Sequence, residues 1–105
     1  MATLEKQLKP ELIEGFCRRW KVREFSLFGS VLRDDFSDAS DVDVMVSFQD
    51  DSGWSLLDHV DMRDELVAIC GRNVDLVTRK GVEHSRNNLR RAAILETAKV
   101  VYAAT

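Results

Sequence analysis

Apolar residues along the chain recur with two different periods, and the changes of period mark out its elements. Leu12, Ile13, Phe16 and Trp20 recur at helical spacing. Pro10 stands where the first turn of a helix needs no N–H donor, so a helix is predicted over about residues 10–20. Val22 to Phe28 (VREFSLF) is rich in strand formers and stops at Gly29. Ser30 is placed to cap a short helix through Val31, Leu32 and Arg33, and Asp34 to Ser40 reads as a polar loop. Asp41 to Phe48 alternates strictly: Asp41, Asp43, Met45 and Ser47 share one face, and Val42, Val44, Val46 and Phe48 share the other. That is a strand with one apolar face. After a loop from Gln49 to Gly53, the segment Trp54 to Cys70 fits an amphipathic helix carrying Leu56, Leu57, Val60, Leu66, Val67 and Ile69 and ended by Gly71. Asn73 to Thr78 is a short strand and Arg79 to Gly81 a turn. Ser85 to Ala103 reads as a second long helix, with Leu89, Ala92, Ala93, Leu95, Ala98, Val101 and Tyr102 available to pack. The order helix, strand, short helix, strand, helix, strand, helix predicts an α+β domain of α/β-like character, with a small mixed sheet packed by helices on one or both faces.

Composition narrows the class. At 105 residues, 45% hydrophobic and 31% charged, the chain suits one soluble globular domain over 1–105. No apolar run approaches the roughly 20 residues that span a bilayer, and the N-terminus (MATLEKQLKPELIEG) lacks the apolar core of a secretory signal. Cys17 and Cys70 have no CxxC spacing, so a cytoplasmic protein with two reduced thiols is expected. The net charge of −3 hides three blocks. Met1 to Arg33 has 7 basic and 4 acidic residues, Asp34 to Glu65 has 1 basic and 11 acidic, and Leu66 to Thr105 has 7 basic and 3 acidic. An acidic centre between basic flanks excludes a uniformly basic nucleic-acid binder, so neither a membrane nor direct nucleic-acid binding is expected.

Three features in and beside that centre carry chemistry. Phe28-Gly29-Ser30-Val31-Leu32-Arg33 is a strand ending in Gly-Ser at a helix start. Unpaired N–H groups and the helix dipole can hold a phosphate there, with Gly29 allowing close approach, the Ser30 hydroxyl adding a hydrogen bond and Arg33 one turn on. In Ser40-Asp41-Val42-Asp43 the two carboxylates share one strand face, about 7 Å apart along the strand. Two like charges that close repel, and a cation between them relieves it; hard oxygen ligands suit Mg²⁺ or Mn²⁺. Asp is also depleted in strands, which favours a functional pair over a merely wet face. Val74-Asp75-Leu76-Val77 places a third Asp inside an apolar strand. Three carboxylates around a phosphate-binding turn describe a two-metal phosphoryl or nucleotidyl transfer site.

Gly29-Ser30 followed by Asp41-Val42-Asp43 resembles the motif of the DNA polymerase β-like nucleotidyltransferase superfamily. The run Phe28 to Arg33 with Ser40-Asp41-Val42-Asp43-Val44-Met45-Val46 is similar to its minimal nucleotidyltransferase branch. Val74-Asp75-Leu76-Val77 sits where that branch carries its third Asp, and Ile94 to Tyr102 is similar to its terminal helix. The resemblance implies a polymerase β-like core and an antitoxin acting beside a HEPN-domain ribonuclease toxin, transferring AMP from ATP to a hydroxyl of the toxin, in known cases a tyrosine. It implies that Asp41, Asp43 and Asp75 are the catalytic residues and ligands of two Mg²⁺ ions, with Asp75 helping to deprotonate the acceptor. It implies that Gly29, Ser30, Arg33 and Ser40 hold the nucleotide. The family usually has Gly after that Arg; here Asp34-Asp35 follow, negative charge close to the expected triphosphate.

Other residues have plainer readings. His59 and His84 read as ordinary surface or helix residues, and Trp20, Trp54 and Tyr102 as packing residues. Asp50, Asp51, Asp58, Asp61 and Asp64 read as solvated charges, with Asp58 close enough to a helix start to favour its dipole. Arg86, Arg90 and Arg91 are most simply the solvated side of the last helix, and alternatively meet an acidic or RNA-bound partner. Two rival functions stand beside the protein adenylyltransferase: an antitoxin that neutralises by binding alone, and a small-molecule nucleotidyltransferase, against which the absence of an acceptor-binding domain argues. A minimal core of this kind suits a toxin complex or self-association, as a homo- or hetero-oligomer.

Overall fold

The structure is a computed structural model that describes residues 9–29, 41–49 and 53–104. Helix α1 (Pro10–Arg19) begins with Pro10 at its first position, and strand β1 (Val22–Phe28) follows. Strand β2 spans Val42–Phe48 and helix α2 spans Leu56–Cys70. Strand β3 (Val74–Thr78) leads into a short helix α3 (Arg79–Glu83), helix α4 (Asn88–Thr97) and strand β4 (Lys99–Ala103). The strands form one mixed sheet in the order β3-β2-β1-β4. β1 is antiparallel to both β2 and β4, and β2 is parallel to β3.

Alternation along β2 sends Val42, Val44 and Val46 to one side of the sheet and Met45 to the other, and each side has its own core. On the first side these valines join Phe25, Leu27, Val74 and Leu76 against Ile13, Phe16 and Cys17 of α1 and Met62 and Leu66 of α2. Phe16 and Phe25 meet edge to face with centroids 6.0 Å apart. A fully buried side chain of this size contributes on the order of 1.5–3 kcal/mol. On the second side Phe28 and Met45 pack against Val82 of α3 and Ile94 of α4, with Val77, Leu95 and Ala98 around them. Met45, expected on the polar face, is only 3% exposed because α3 and α4 cover it.

α2 ends as expected, with Gly71 left-handed at φ +72. Its start is set by a capping box: the Ser55 hydroxyl accepts from Asp58 N, and the Asp58 carboxylate accepts from Ser55 N at 2.9 Å. Asp58 thus does sit at a helix start.

Leu56, Leu57 and Val60, expected on the apolar face of α2, are exposed, and two expectations of secondary structure fail in the C-terminal third. Arg79 to Gly81 is not a turn but the start of α3, whose N-cap Thr78 accepts from Gly81 N at 3.0 Å. The helix expected over Ser85 to Ala103 is confined to Asn88–Thr97, and the segment compared with a terminal helix ends in a strand. Ala98 leaves the helix at ψ 133, and Lys99-Val100-Val101-Tyr102-Ala103 pairs with β1, Tyr102 opposite Phe25. β-branched and aromatic side chains favour that pleat over a further helical turn. Within α4 the buried residue is Ile94, while Leu89 is 86% exposed.

Candidate active site

Among the described residues the second sheet face is only partly covered, and the part they leave uncovered carries the carboxylates. Asp43 lies opposite Phe28 on β1 and beside Asp75 on β3, so Phe28, Asp43 and Asp75 form one row across three strands. Neighbouring strands are about 4.8 Å apart, which brings the two carboxylates side by side. The register is held at this end by Val42 N, which donates to Asn73 O at 2.9 Å. Asp41 precedes β2 by one residue, and the strand's alternation puts it on the face of Asp43. Asp43 is half-buried, whereas Asp41 and Asp75 are exposed.

Gly29 closes the row. It follows β1 at φ +71, a conformation that a side chain makes strained. A Cβ at this position would collide with Asp43 Oδ2 and stand 3.2 Å from its Cγ. Backbone and carboxylate therefore approach as closely as only glycine permits. Ser30, Arg33, Asp34, Asp35 and Ser40 lie outside the described residues, as does the short helix expected at Val31–Arg33.

The structure thus brings Asp43 and Asp75 together with Gly29, and sets Asp41 one pleat away. Among the described residues no group of three His, Cys, Asp or Glu side chains converges enough to hold a metal ion by itself. The donor set still fits Mg²⁺, which is commonly held by one or two carboxylates together with waters and substrate phosphates, not by an all-protein cage.

Other singled-out residues lie on α1 and α2 and their flanks, across the sheet from the carboxylates. His59, expected to be ordinary, reaches from α2 to the edge strand, its Nε2 3.0 Å from Leu76 O, the carbonyl next to Asp75. No spacing in the sequence announces that contact. The capping box was legible as Ser55-x-x-Asp58 before an apolar helix. Trp20 and Trp54 pack edge to face at 5.1 Å, and Trp54 Nε1 donates to Trp20 O at 2.7 Å, as packing residues do. Asp61 and Asp64 are exposed on α2, and Glu65 pairs with Arg19 of α1. Asp50 and Asp51 lie outside the described residues. Among the described residues no helix is long and apolar enough to cross a membrane.

Solved structures share this fold. A chain of a toxin–antitoxin complex solved with AMP-PNP superposes with a TM-score of 0.70 at 20% identity, covering 93% of this chain and 76% of that one. A chain of the complex between a tri-AMPylated Shewanella oneidensis HEPN toxin and an MNT antitoxin gives a TM-score of 0.61 at 18% identity, covering 90% and 70%. At such identities the likeness shows the fold. In sequence, the protein adenylyltransferase MntA of Thermococcus cleftensis is 37% identical over 65 residues, 62% of this chain and 64% of that protein. The chain spans just under two thirds of the length of the first curated relatives it matches, 66%, 64% and 59%. The model of the nucleotidyltransferase domain matches residues 9–101, taking in Gly29, the carboxylate row, the first three strands and the start of the fourth. The chain belongs to the nucleotidyltransferase domain family.

Proposed function

We propose that this chain is a protein adenylyltransferase that moves AMP from ATP to a hydroxyl of a HEPN-family toxin in the cytoplasm, and so acts as its antitoxin. The observation that carries the reading is the row of Asp43 and Asp75 on adjacent strands, with Gly29 against Asp43 at its end. The adenylyltransferase relative and the AMPylated toxin complex support the choice of nucleotide and of partner.

Gly29, Ser30, Arg33 and Ser40 bind the triphosphate at the end of β1. Asp41, Asp43 and Asp75 would hold Mg²⁺, as two ions, and the metal would neutralise phosphate charge and lower the pKa of the acceptor hydroxyl. Asp75 takes the proton from that hydroxyl. The acceptor oxygen bonds to the α-phosphorus, the bond from that phosphorus to the bridging oxygen breaks, and pyrophosphate leaves in line.

The test incubates the chain with labelled ATP, Mg²⁺ and the product of the neighbouring gene, expected to be a HEPN toxin. Label should reach the toxin with wild type and not with the double variant Asp41→Ala, Asp43→Ala. Transfer that survives in the double variant overturns the assignment of the site. Loss of transfer with toxin suppression intact at stoichiometric levels would instead make the chain a binding antitoxin.

A further inference from the structure

Asp43 and Asp75 are side by side, but their strands are not equally secured. β2 lies between β1 and β3, whereas β3 ends the sheet and pairs with β2 alone. Asn73 O accepts from Val42 N and so faces β2. Backbone groups alternate along a strand, so the carbonyl of Asp75 also faces β2 and that of Leu76 faces away from it. No strand is there to receive that carbonyl. His59 receives it instead, with Nε2 3.0 Å from Leu76 O. A carbonyl oxygen only accepts, so Nε2 carries the hydrogen and donates it. The helix aims the ring. His59, Met62 and Leu66 stand at i, i+3 and i+7, the stripe that α2 turns to the sheet, with Met62 and Leu66 buried in the first core. The amide of His59 donates to Ser55 O at 3.1 Å, in the turn that the Ser55–Asp58 capping box closes.

We infer that His59 is the positioning residue for Asp75, acting through Leu76 O from the opposite side of the sheet. The inference rests on the transferase reading above, in which Asp75 takes the proton of the acceptor. A strand bonded along one edge only is free to pivot about that ladder. Here the ladder to β2 holds Asp75 on one edge, and the bond from His59 holds the next residue on the other. Side chains alternate, so Leu76 points into the first core, at 6% exposure, while Asp75 points to the open face. Fixing the backbone at Leu76 therefore fixes the direction of the Asp75 carboxylate relative to Asp43. Asp43 needs no such brace, because its strand is paired on both edges. Gly29 follows β1, which is likewise paired on both edges, by β2 and β4. Loss of the His59 bond thus acts on the carboxylate assigned to the acceptor and leaves the turn assigned to the triphosphate in place.

The test compares wild type with His59→Leu, which keeps bulk and removes the donor, and His59→Gln, whose amide N–H sits near the place of Nε2. In the transfer assay with labelled ATP, Mg²⁺ and the neighbouring gene product, His59→Leu should lose roughly 100-fold in kcat, the effect of misplacing a reacting group by about 1 Å. KM for ATP should stay unchanged, and His59→Gln should return most of the lost kcat. Nuclear magnetic resonance of the labelled chain without nucleotide reads the same bond directly. In wild type the His59 ring proton should be protected from exchange with water and coupled to the Leu76 carbonyl carbon. In His59→Leu the Asp75 carboxyl and Val77 amide resonances should move, and those of Asp43 and Gly29 should not. A His59 ring proton that exchanges freely in wild type overturns the proposal, even if His59→Leu fails to fold. Unchanged kcat in His59→Leu, or a loss that His59→Gln does not repair, also overturns it and leaves the transferase standing. Wild type that moves no label refutes the transferase, while the ring proton and the Asp75 shifts still decide the role of His59.

Discussion

At residue scale, two positions have consequences that can be measured without substrate. Gly29 combines a left-handed backbone with a carboxylate in the space a Cβ would need. Gly29→Ala should destabilise the fold by about 1–3 kcal/mol, read as a lowered urea midpoint with an unchanged slope. Wild-type stability in that variant would mean that Asp43 does not lie against Gly29. Cys17 and Cys70 are both free thiols. Burial pushes Cys17 up to about 12; burial also raises Cys70, to about 11, with Arg72 pulling the other way. Both stay protonated at neutral pH, so native chain should resist iodoacetamide while urea-unfolded chain is alkylated, as mass spectrometry would show. Above pH 9 the unfolded chain loses these protons and the native chain keeps them. Stability should therefore fall as pH rises from about 9 toward 12, and a flat profile across that window would contradict the burial of the thiols. Gly29, Asp41, Asp43 and Asp75 were all legible as candidates, because residue type and spacing carry the chemistry. The bond from His59 to Leu76 O was not, because it joins two elements that only packing brings together.

At the scale of elements, local signals succeeded where an element depends on its own residues. Pro10 starts α1, Gly71 ends α2 and the valine alternation marks β2. They failed at the C-terminus, where Ala98, Val101 and Tyr102 keep a helical spacing. The deciding partner there is β1, more than 70 residues earlier, and no window of local sequence contains it. Shortening the chain after Thr97 would leave β1 with an open edge, and an unpaired edge is a template for association. Size-exclusion chromatography of that variant should show aggregated or oligomeric species; a stable monomer would argue that β4 contributes little to the sheet. The capping box of α2 gives a milder test. Ser55→Ala should lower stability by about 0.5–2 kcal/mol in thermal unfolding, with the helix retained by circular dichroism.

For the molecule as a whole, the radius of gyration of 13.2 Å is close to the roughly 13 Å expected of a single domain this size. A single cooperative unfolding transition should follow, with fluorescence of Trp20 and Trp54 and far-ultraviolet circular dichroism giving coincident curves. Distinct midpoints would show that the two cores melt separately. The acidic block also resolves at this scale. Asp58 caps α2, Glu65 joins α2 to α1, and Asp61 and Asp64 face solvent. Asp43 is set beside Asp75, a residue from outside the block.

The two-sided sheet also bears on how such a protein can change over generations. Along the seven residues of β2, Val42, Val44 and Val46 hold the molecule together, while Asp43 stands among the groups assigned to chemistry. Neighbouring codons thus answer to different selective pressures at Val42, Asp43 and Val44, while Met45, on the face of Asp43, answers to the second core. A lineage can alter what the open face recognises without disturbing the side that keeps it folded.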